Sequence, residues 1–239
     1  MRIISLVPSI TETLFDLGAD EIVGRTKFCI HPKDKVSDVE IVGGTKNVNI
    51  QKIIKLKPDL IIANKEENVK EQIVELQQSF KVLLTDISTL EDNYYLLKTL
   101  GNLLGKQEIA QKYNSKINEI FNGLQSSEKK SCVYLIWKNP YMTVGSDTFI
   151  HAVLQQAGFE NIFKDQRRYP EISVEQMKGA EYIFLSSEPF PFKEKHVDEL
   201  QKLLPGSRII LIDGEAFSWY GTHLAKCEDY FKKLAGHIT

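Results

Sequence analysis

Residues 90–124 read LEDNYYLLKTLGNLLGKQEIAQKYNSKINEIFNGL, which is the longest uninterrupted helical pattern in the chain. The stretch contains no proline, and its apolar side chains recur at intervals of three and four residues, as on one face of an α-helix. Gly101 and Gly105 weaken the pattern locally, but we do not expect them to break the helix. A helix of roughly 30 residues would span about 45 Å, which is long enough to join two lobes stiffly.

On both sides of this helix, short apolar runs alternate with helical patterns. The predicted strands are 3–7, 21–25, 59–63 and 81–85 before it, and 132–137, 182–186 and 208–212 after it. This alternation is typical of mostly parallel sheets flanked by helices. The sequence therefore predicts an α/β fold with two Rossmann-like lobes and a ligand cleft between them. The predicted parts are an N-terminal lobe (1–89), a linking backbone helix (90–125) and a C-terminal lobe (126–239), with an exposed turn at 125–130.

The composition is that of a globular protein with a substantial core. Of the 239 residues 42% are hydrophobic and 26% are charged, and the net charge is -2. This balance provides no general field that would attract nucleic acid or an anionic membrane. No apolar run approaches the roughly 20 residues that span a bilayer, and the first residues do not resemble a signal peptide. We therefore expect either a cytoplasmic chain or one whose leader has been removed.

Aromatic side chains are concentrated in the loops that follow the predicted strands. Parallel α/β sheets bind ligands beyond the carboxyl ends of their strands, where loops are normally polar. Both tryptophans of the chain fall in such loops, which suggests a cleft that stacks on a flat apolar ligand. The alternative is that the rings pack beneath the loops as a satellite core. The predicted ligand-binding residues are Pro8, Ser9, Lys27, Phe28, Lys65, Trp137, Tyr141, Tyr169, Phe190, Trp219 and Tyr220.

The sequence offers little support for catalysis or for a metal site. It has no glycine-rich phosphate loop and no G-x-S-x-G nucleophile motif. The histidines show no metal-ligand spacing, and the three cysteines form no C-x-x-C pair, so we expect buried thiols and no metal or cofactor. Asp213 and Glu215 follow a strand and could form a pair of catalytic carboxylates, but such residues more often cap the next helix.

Five stretches carry a resemblance to a known family, and they are RIISLVPSITE (2–12), VGG (42–44), LKPDLIIA (56–63), YMTVGSD (141–147) and DGEAFSWYG (213–221). In this order they resemble the cobalamin and siderophore periplasmic binding proteins, the helical-backbone class III receptors of ABC importers, which include vitamin B12 receptors. The resemblance implies a non-enzymatic monomer that binds its ligand between two lobes with little hinge closure. It also implies a permease partner and a periplasmic or cell-surface location.

The resemblance further implies that one glutamate on each lobe forms a salt bridge with the permease. The candidates are Glu66, Glu67 or Glu71 on the first lobe and Glu188 or Glu194 on the second. The aromatic set favours a corrin or haem macrocycle, whereas cations in or near the presumed cleft favour an anionic ferric siderophore. These cations are Lys27, Lys65, Lys138, Arg167 and Arg168. We expect cobalamin, with a ferric siderophore or haem as the alternative ligand.

Two readings from other functional classes stay open at this point. One is an intracellular enzyme or sensor on the same fold that uses Asp213 and Glu215. The other is an interaction module built around the long helix, which would not need aromatic rings at the strand ends.

Overall fold

The computed structural model describes residues 1–124 and 129–236, so most of the turn predicted at 125–130 lies outside the described residues. The chain divides into two compact units, which differ from the predicted linear division. Unit 1 comprises Met1–Ile87, Glu91–Ser115 and Tyr220–His223. Unit 2 comprises Ser88–Leu90, Lys116–Trp219 and Leu224–Thr239. Unit 1 therefore includes a four-residue segment from near the end of the sequence.

Unit 1 contains a four-stranded parallel sheet in the order β2-β1-β5-β6. Its strands are β1 (Arg2–Ser5), β2 (Glu21–Arg25), β5 (Leu60–Asn64) and β6 (Val82–Thr85). All five residues of β5 are buried, as expected for a central parallel strand covered on both faces. Two short strands, β3 (Gly43–Gly44) and β4 (Asn47–Val48), form a small antiparallel pair.

Four helices accompany the sheet of unit 1 among the described residues before Ile87. They are α1 (Pro8–Asp16), α2 (Lys33–Val36), α3 (Ile50–Leu56) and α4 (Lys70–Gln77). Apolar residues of α3 and α4 pack with those of β1 and β5 in one core, through contacts that include Ile53, Ile73 and Ile61. Proline at the first position of α1 suits a helix start because its missing N–H would have no partner inside the helix.

The long helical stretch is two helices, so the prediction of one unbroken helix is wrong. Helix α5 (Leu90–Leu104) ends where Gly105 adopts a left-handed φ of 68°. The Gly105 N–H donates to the Asn102 carbonyl at 3.3 Å, and the Lys106 N–H donates to the Gly101 carbonyl at 2.7 Å. This pattern is a Schellman motif, which terminates a helix and releases the chain in a new direction.

Helix α6 (Gln107–Gly123) follows, and its first part, up to Ser115, lies beside α5 within unit 1. The Asn114 side chain donates to the Tyr94 carbonyl at 3.1 Å, and a Cβ on Gly101 would approach the Cβ of Ala110 to 2.6 Å. The close approach explains the glycine at position 101. One of the points at which the chain passes from unit 1 to unit 2 lies inside α6, between Ser115 and Lys116.

Unit 2 contains a second four-stranded parallel sheet, in the order β12-β11-β7-β9. Its strands are β7 (Lys130–Leu135), β9 (Phe159–Asn161), β11 (Tyr182–Ser186) and β12 (Arg208–Ile212). The α/β fold with two mostly parallel sheets is thereby confirmed. Strand β9 and the small antiparallel pair β8 (Tyr141–Met142) and β10 (Glu171–Ile172) were not predicted, because two or three residues give no measurable periodicity.

The helices of unit 2 follow the predicted positions with two differences, the first of which is that the short helix at 214–218 was not predicted. These helices are α7 (Phe149–Gln156), α8 (Val174–Met177), α9 (Glu194–Leu203), α10 (Gly214–Ser218) and α11 (Glu228–Gly236). The predicted closing helix at 223–234 is instead a 3-10 turn, Gly221–Lys226, followed by α11. No helix of residues 1–124 and 129–236 has both the length and the apolarity that crossing a membrane requires.

Candidate ligand-binding surfaces

In unit 1, the loops at the carboxyl ends of the parallel strands present one aromatic ring to solvent. Phe28 lies in the turn formed by residues 26–29, directly after β2, and is 50% exposed. The Lys27 Nζ lies 5.0 Å from the centroid of the Phe28 ring, which is within the range of a cation–π contact. An apolar ring that remains this exposed is suited to contact a ligand.

The loop after β5 is organised by asparagine. The Asn64 Oδ1 accepts from the backbone N–H groups of Glu66 at 2.8 Å and Glu67 at 3.2 Å. The Asn68 side chain accepts from the Asn64 N–H at 2.8 Å and donates to the Thr45 carbonyl at 3.0 Å. The loop is therefore fixed from within, and Glu66 and Glu67 are half-buried in it.

Pro8, Ser9 and Tyr220 occupy the same end of the unit 1 sheet but are less accessible. Pro8 is half-buried and Ser9 is buried in the first turn of α1. Tyr220 is only 5% exposed, and its phenol lies near the side chains of Ser9 and Thr85. Burial, with a smaller contribution from the Glu67 carboxylate, raises the pKa of Tyr220 well above its ordinary value. The ring therefore supports this edge from below.

In unit 2, four rings form a continuous cluster at the carboxyl ends of β7 and β11, and we call Trp137, Phe190, Phe192 and His196 the aromatic edge. The Trp137 and Phe190 centroids are 5.7 Å apart with an edge-to-face tilt of 69°. Phe190 is 4.8 Å from Phe192 and 5.5 Å from His196. Trp137 is 41% exposed, whereas Phe190 is half-buried and packs with Tyr141 on the core beneath. Trp137 is thus an accessible ring on a rigid support.

His196 holds the aromatic edge in place through its ring nitrogen. Its Nδ1 accepts from the Lys193 backbone N–H at 2.9 Å, which caps the start of α9 and requires an unprotonated Nδ1. Burial lowers the pKa of His196 below its ordinary value. The charged groups that also act on the ring are, in decreasing order of effect, Lys138, Lys195, Glu199 and Lys193, and only the glutamate opposes the lowering.

This arrangement predicts a stability loss in mild acid. A histidine whose pKa is lowered by folding binds more protons in the unfolded chain, so its contribution is complete above about pH 6.5 and declines as the pH falls towards the folded-state pKa. The free energy of unfolding, measured by urea denaturation, should therefore fall more between pH 7 and pH 5 for the wild type than for His196→Gln. The amide oxygen of the glutamine can accept the same N–H but does not titrate. Identical pH profiles for the two proteins would contradict the assignment.

Trp219, the second predicted stacking ring, is buried in unit 2 and is 7% exposed. Its side chain hydrogen-bonds to the Glu188 carboxylate, which also accepts from the Ser218 hydroxyl at 2.7 Å. Burial raises the pKa of Glu188, and the two hydrogen bonds only partly oppose this effect. A Cβ on Gly214 would approach the Glu188 Cγ to 2.5 Å, so the group is closely packed. Glu188, predicted to contact a permease, is thus engaged inside its own unit.

Most cations predicted for the cleft are already paired with carboxylates. The Lys65 Nζ lies 2.7 Å from Asp86 Oδ2, and the Arg167 Nε lies 3.2 Å from Asp147 Oδ2. Lys138 forms an ion pair with Glu199. Arg168 stacks over the ring of Tyr169, with 5.5 Å between the guanidinium carbon and the ring centroid. Tyr169 itself is half-buried beside this exposed loop. These contacts neutralise part of the positive charge that an anionic ligand would need.

Asp213, one of the two residues considered for catalysis, has a structural role. Asp213 caps α10, because its Oδ1 accepts from the Glu215 N–H at 3.0 Å. Within the described part of the chain, no group of three or more histidine, cysteine, aspartate or glutamate side chains is arranged to hold a metal ion. Cys29, Cys132 and Cys227 are buried, as predicted, and none of them is in a disulfide bond. A shallow depression of unit 1, lined by residues of β3, β4 and α3 and by Glu75, involves none of the predicted ligand-binding residues.

Comparisons with known proteins find one consistent relationship. A family described as "Periplasmic binding protein" matches residues 3–202. The "Vitamin B12-binding protein" of Salmonella typhimurium is 31% identical over 182 residues, which cover 74% of this chain and 68% of that protein. The crystal structure of the periplasmic vitamin B12 binding protein of Vibrio cholerae superposes with a TM-score of 0.83 at 23% identity, covering 98% and 97% of the two chains. The periplasmic haem-binding protein of the same organism superposes with a TM-score of 0.82 at 19% identity, covering 98% of each chain.

Proposed function

The chain belongs to the periplasmic binding protein family, and from that premise we propose that it is the corrinoid-binding component of an ABC importer. In this role it binds cobalamin without catalysis, acts as a monomer in the periplasm or at the cell surface, and passes the ligand to a permease. The ligand is transported cargo and not a cofactor. Curated relatives described as vitamin B12-binding proteins support this ligand class.

The accessible ring of Trp137 on the aromatic edge is the observation that carries the ligand assignment. A corrin presents a wide, largely apolar macrocycle, and an exposed ring held by neighbouring rings offers a flat contact at low entropic cost. Phe28 offers a second exposed ring on unit 1. The pairing of Lys65, Lys138 and Arg167 with carboxylates further favours a ligand without a large negative charge over an anionic chelate.

A ferric siderophore or haem is the alternative ligand. Lys27 supports it, because this cation lies beside the exposed ring of Phe28 and could meet a carboxylate or catecholate oxygen. Breaking the ion pairs of Lys65 or Arg167 would release further charge, since both pairs include a strongly exposed side chain and are therefore weak.

Among the candidate glutamates, we propose Glu71 and Glu194 as the permease contacts. Both are exposed and lie in the first turns of α4 and α9. By contrast, Glu188 is held by Ser218, and Glu66 and Glu67 are half-buried in the loop after β5. An exposed carboxylate can form a new salt bridge without first losing an internal partner.

Titration with cyanocobalamin tests the proposed ligand directly. We expect saturable one-to-one binding with a dissociation constant of about 1 μM or tighter, equivalent to at least about 8 kcal/mol. Isothermal calorimetry is the primary measurement, because the coloured ligand absorbs where tryptophan emits. Parallel titrations with haemin and with a ferric catecholate siderophore discriminate the alternatives. Tight binding of either, with no response to cyanocobalamin, would reject the corrinoid assignment and retain the family.

A further inference from the structure

The turn that presents Phe28 is fixed by the backbone on both sides. The Lys27 N–H donates to the Gly43 carbonyl at 2.8 Å, and the Cys29 N–H donates to the Thr26 carbonyl at 3.1 Å. Gly43 and its neighbour lie in β3, so the turn is attached to a second element as well as to β2. Exposed Lys27 and Phe28 thus sit on a backbone with little freedom.

A buried arginine closes the same turn from inside. Arg25, the last residue of β2, is 8% exposed. Its Nε donates to the Val36 carbonyl at 2.7 Å, and its Nη1 donates to the carbonyls of Thr26 at 3.2 Å and Cys29 at 3.1 Å. One guanidinium therefore connects the two ends of the turn to the last residue of α2, and the fork of Arg donors suits this geometry better than a single ammonium group.

The thiol of Cys29 anchors the turn to the first strand and helix. The Thr11 hydroxyl lies 3.0 Å and the Thr26 hydroxyl 3.2 Å from the Cys29 Sγ. Thr11 also donates to the Val7 carbonyl at 2.9 Å, so the contact continues to the start of α1. The buried side of the turn thus makes polar contacts with the start of α1, while its outer side carries the exposed ring of Phe28.

We propose that Arg25 is a positioning residue for the ligand: its guanidinium holds the turn so that the ring of Phe28 and the ammonium of Lys27 are pre-arranged for contact. This inference rests on the proposed function, because it assigns Phe28 to the ligand-binding surface. Arg25 itself is buried and makes no ligand contact. Holding a contact residue in its bound conformation strengthens binding by reducing the entropy lost on association.

A double-mutant cycle tests the proposal. Cyanocobalamin affinity is measured by calorimetry for the wild type, Phe28→Ala, Arg25→Met and the double variant. We expect each single variant to weaken binding about tenfold, and the double variant to lose less than the hundredfold product of the two, because part of the effect of Arg25 passes through Phe28. Losses that multiply in the double variant would overturn the positioning role. Arg25→Lys, which keeps the charge but not the fork, should show an intermediate loss and serves if Arg25→Met does not fold.

Amide hydrogen exchange of the ligand-free protein tests whether Arg25 holds the turn, independently of which ligand the protein binds. In Arg25→Lys or Arg25→Met, amides of residues 26–36 should exchange at least about tenfold faster, whereas those of Ile61 and Ile62 in β5 should keep their protection. If the wild type binds no corrinoid but this exchange pattern is found, the ligand assignment fails, whereas the role of Arg25 in holding the turn is supported. Unchanged exchange at residues 26–36 would show that Arg25 does not hold the turn.

Discussion

Replacing Gly221 by alanine should lower the free energy of unfolding by about 2–5 kcal/mol. Gly221 has a left-handed φ of 88°, and a Cβ at this position would lie 1.9 Å from the Thr13 Oγ1. Thr13 cannot simply rotate away, because its hydroxyl donates to the Ser9 carbonyl at 2.9 Å and accepts from the Thr222 N–H at 3.1 Å. The substitution therefore combines backbone strain with the loss of buried hydrogen bonds. Urea denaturation followed by circular dichroism measures the effect.

Gly105→Ala is the matched control for Gly221→Ala. Gly105 also has a left-handed φ, of 68°, but a Cβ there would meet no atom within 4 Å. It should cost only the backbone strain, about 1–2 kcal/mol. If the two variants were equally stable, the contact between Gly221 and Thr13 would contribute nothing. The neighbouring contacts make that outcome unexpected, since the Gly221 N–H donates to Asn93 and the His223 Nδ1 lies 2.7 Å from Glu12 Oε2.

Trp137→Ala should weaken cyanocobalamin binding by about tenfold to a hundredfold, or about 1.4–2.8 kcal/mol. The ring is 41% exposed and touches Phe190 at its edge, so its removal takes away contact area without opening a cavity in the core. The stability of the variant should stay close to that of the wild type. Calorimetry is required for the measurement, because the substitution removes one of only two tryptophans.

Tyr95→Ala provides the control for Trp137→Ala. Tyr95 is a 72% exposed ring on α5 that is not among the predicted ligand-binding residues, and its loss should leave both affinity and stability unchanged. Trp219→Ala should instead reduce stability, because it removes a buried ring and a hydrogen bond to Glu188. Full affinity in Trp137→Ala, combined with lost affinity in a folded Trp219→Ala, would mean that the contact ring is Trp219.

Sequence periodicity was sufficient for the two sheets, because a central parallel strand such as β5 is buried on both faces and therefore appears as an apolar run. It failed at Gly105. A glycine after a helical pattern can either continue the helix at a modest cost or end it with a left-handed residue, and the pattern continued on both sides. The close contact between Gly101 and Ala110 was the missing information, since it depends on α5 and α6 lying side by side.

For the candidate site too, the sequence predicts local features but not those that depend on contacts between distant residues. That the strand-end loops carry aromatic rings follows from the sequence. Which rings are exposed does not, although Trp137 and Trp219 both follow a strand in sequence. Their difference arises from Glu188, which is 31 residues from Trp219 in sequence and binds both its indole and Ser218. The role of Arg25 likewise depends on a carbonyl eleven residues away.

The membership of Tyr220–His223 in unit 1 has a consequence for how the protein is made. Residues 1–115 leave the ribosome well before residue 220 has been synthesised, so α1 waits for partners such as Thr222 while roughly 100 further residues are added. At about 5–20 residues per second, this interval lasts roughly 5–20 s. The first unit is therefore expected to emerge in a loosened state and to become fully ordered only after residues 220–223 have been synthesised.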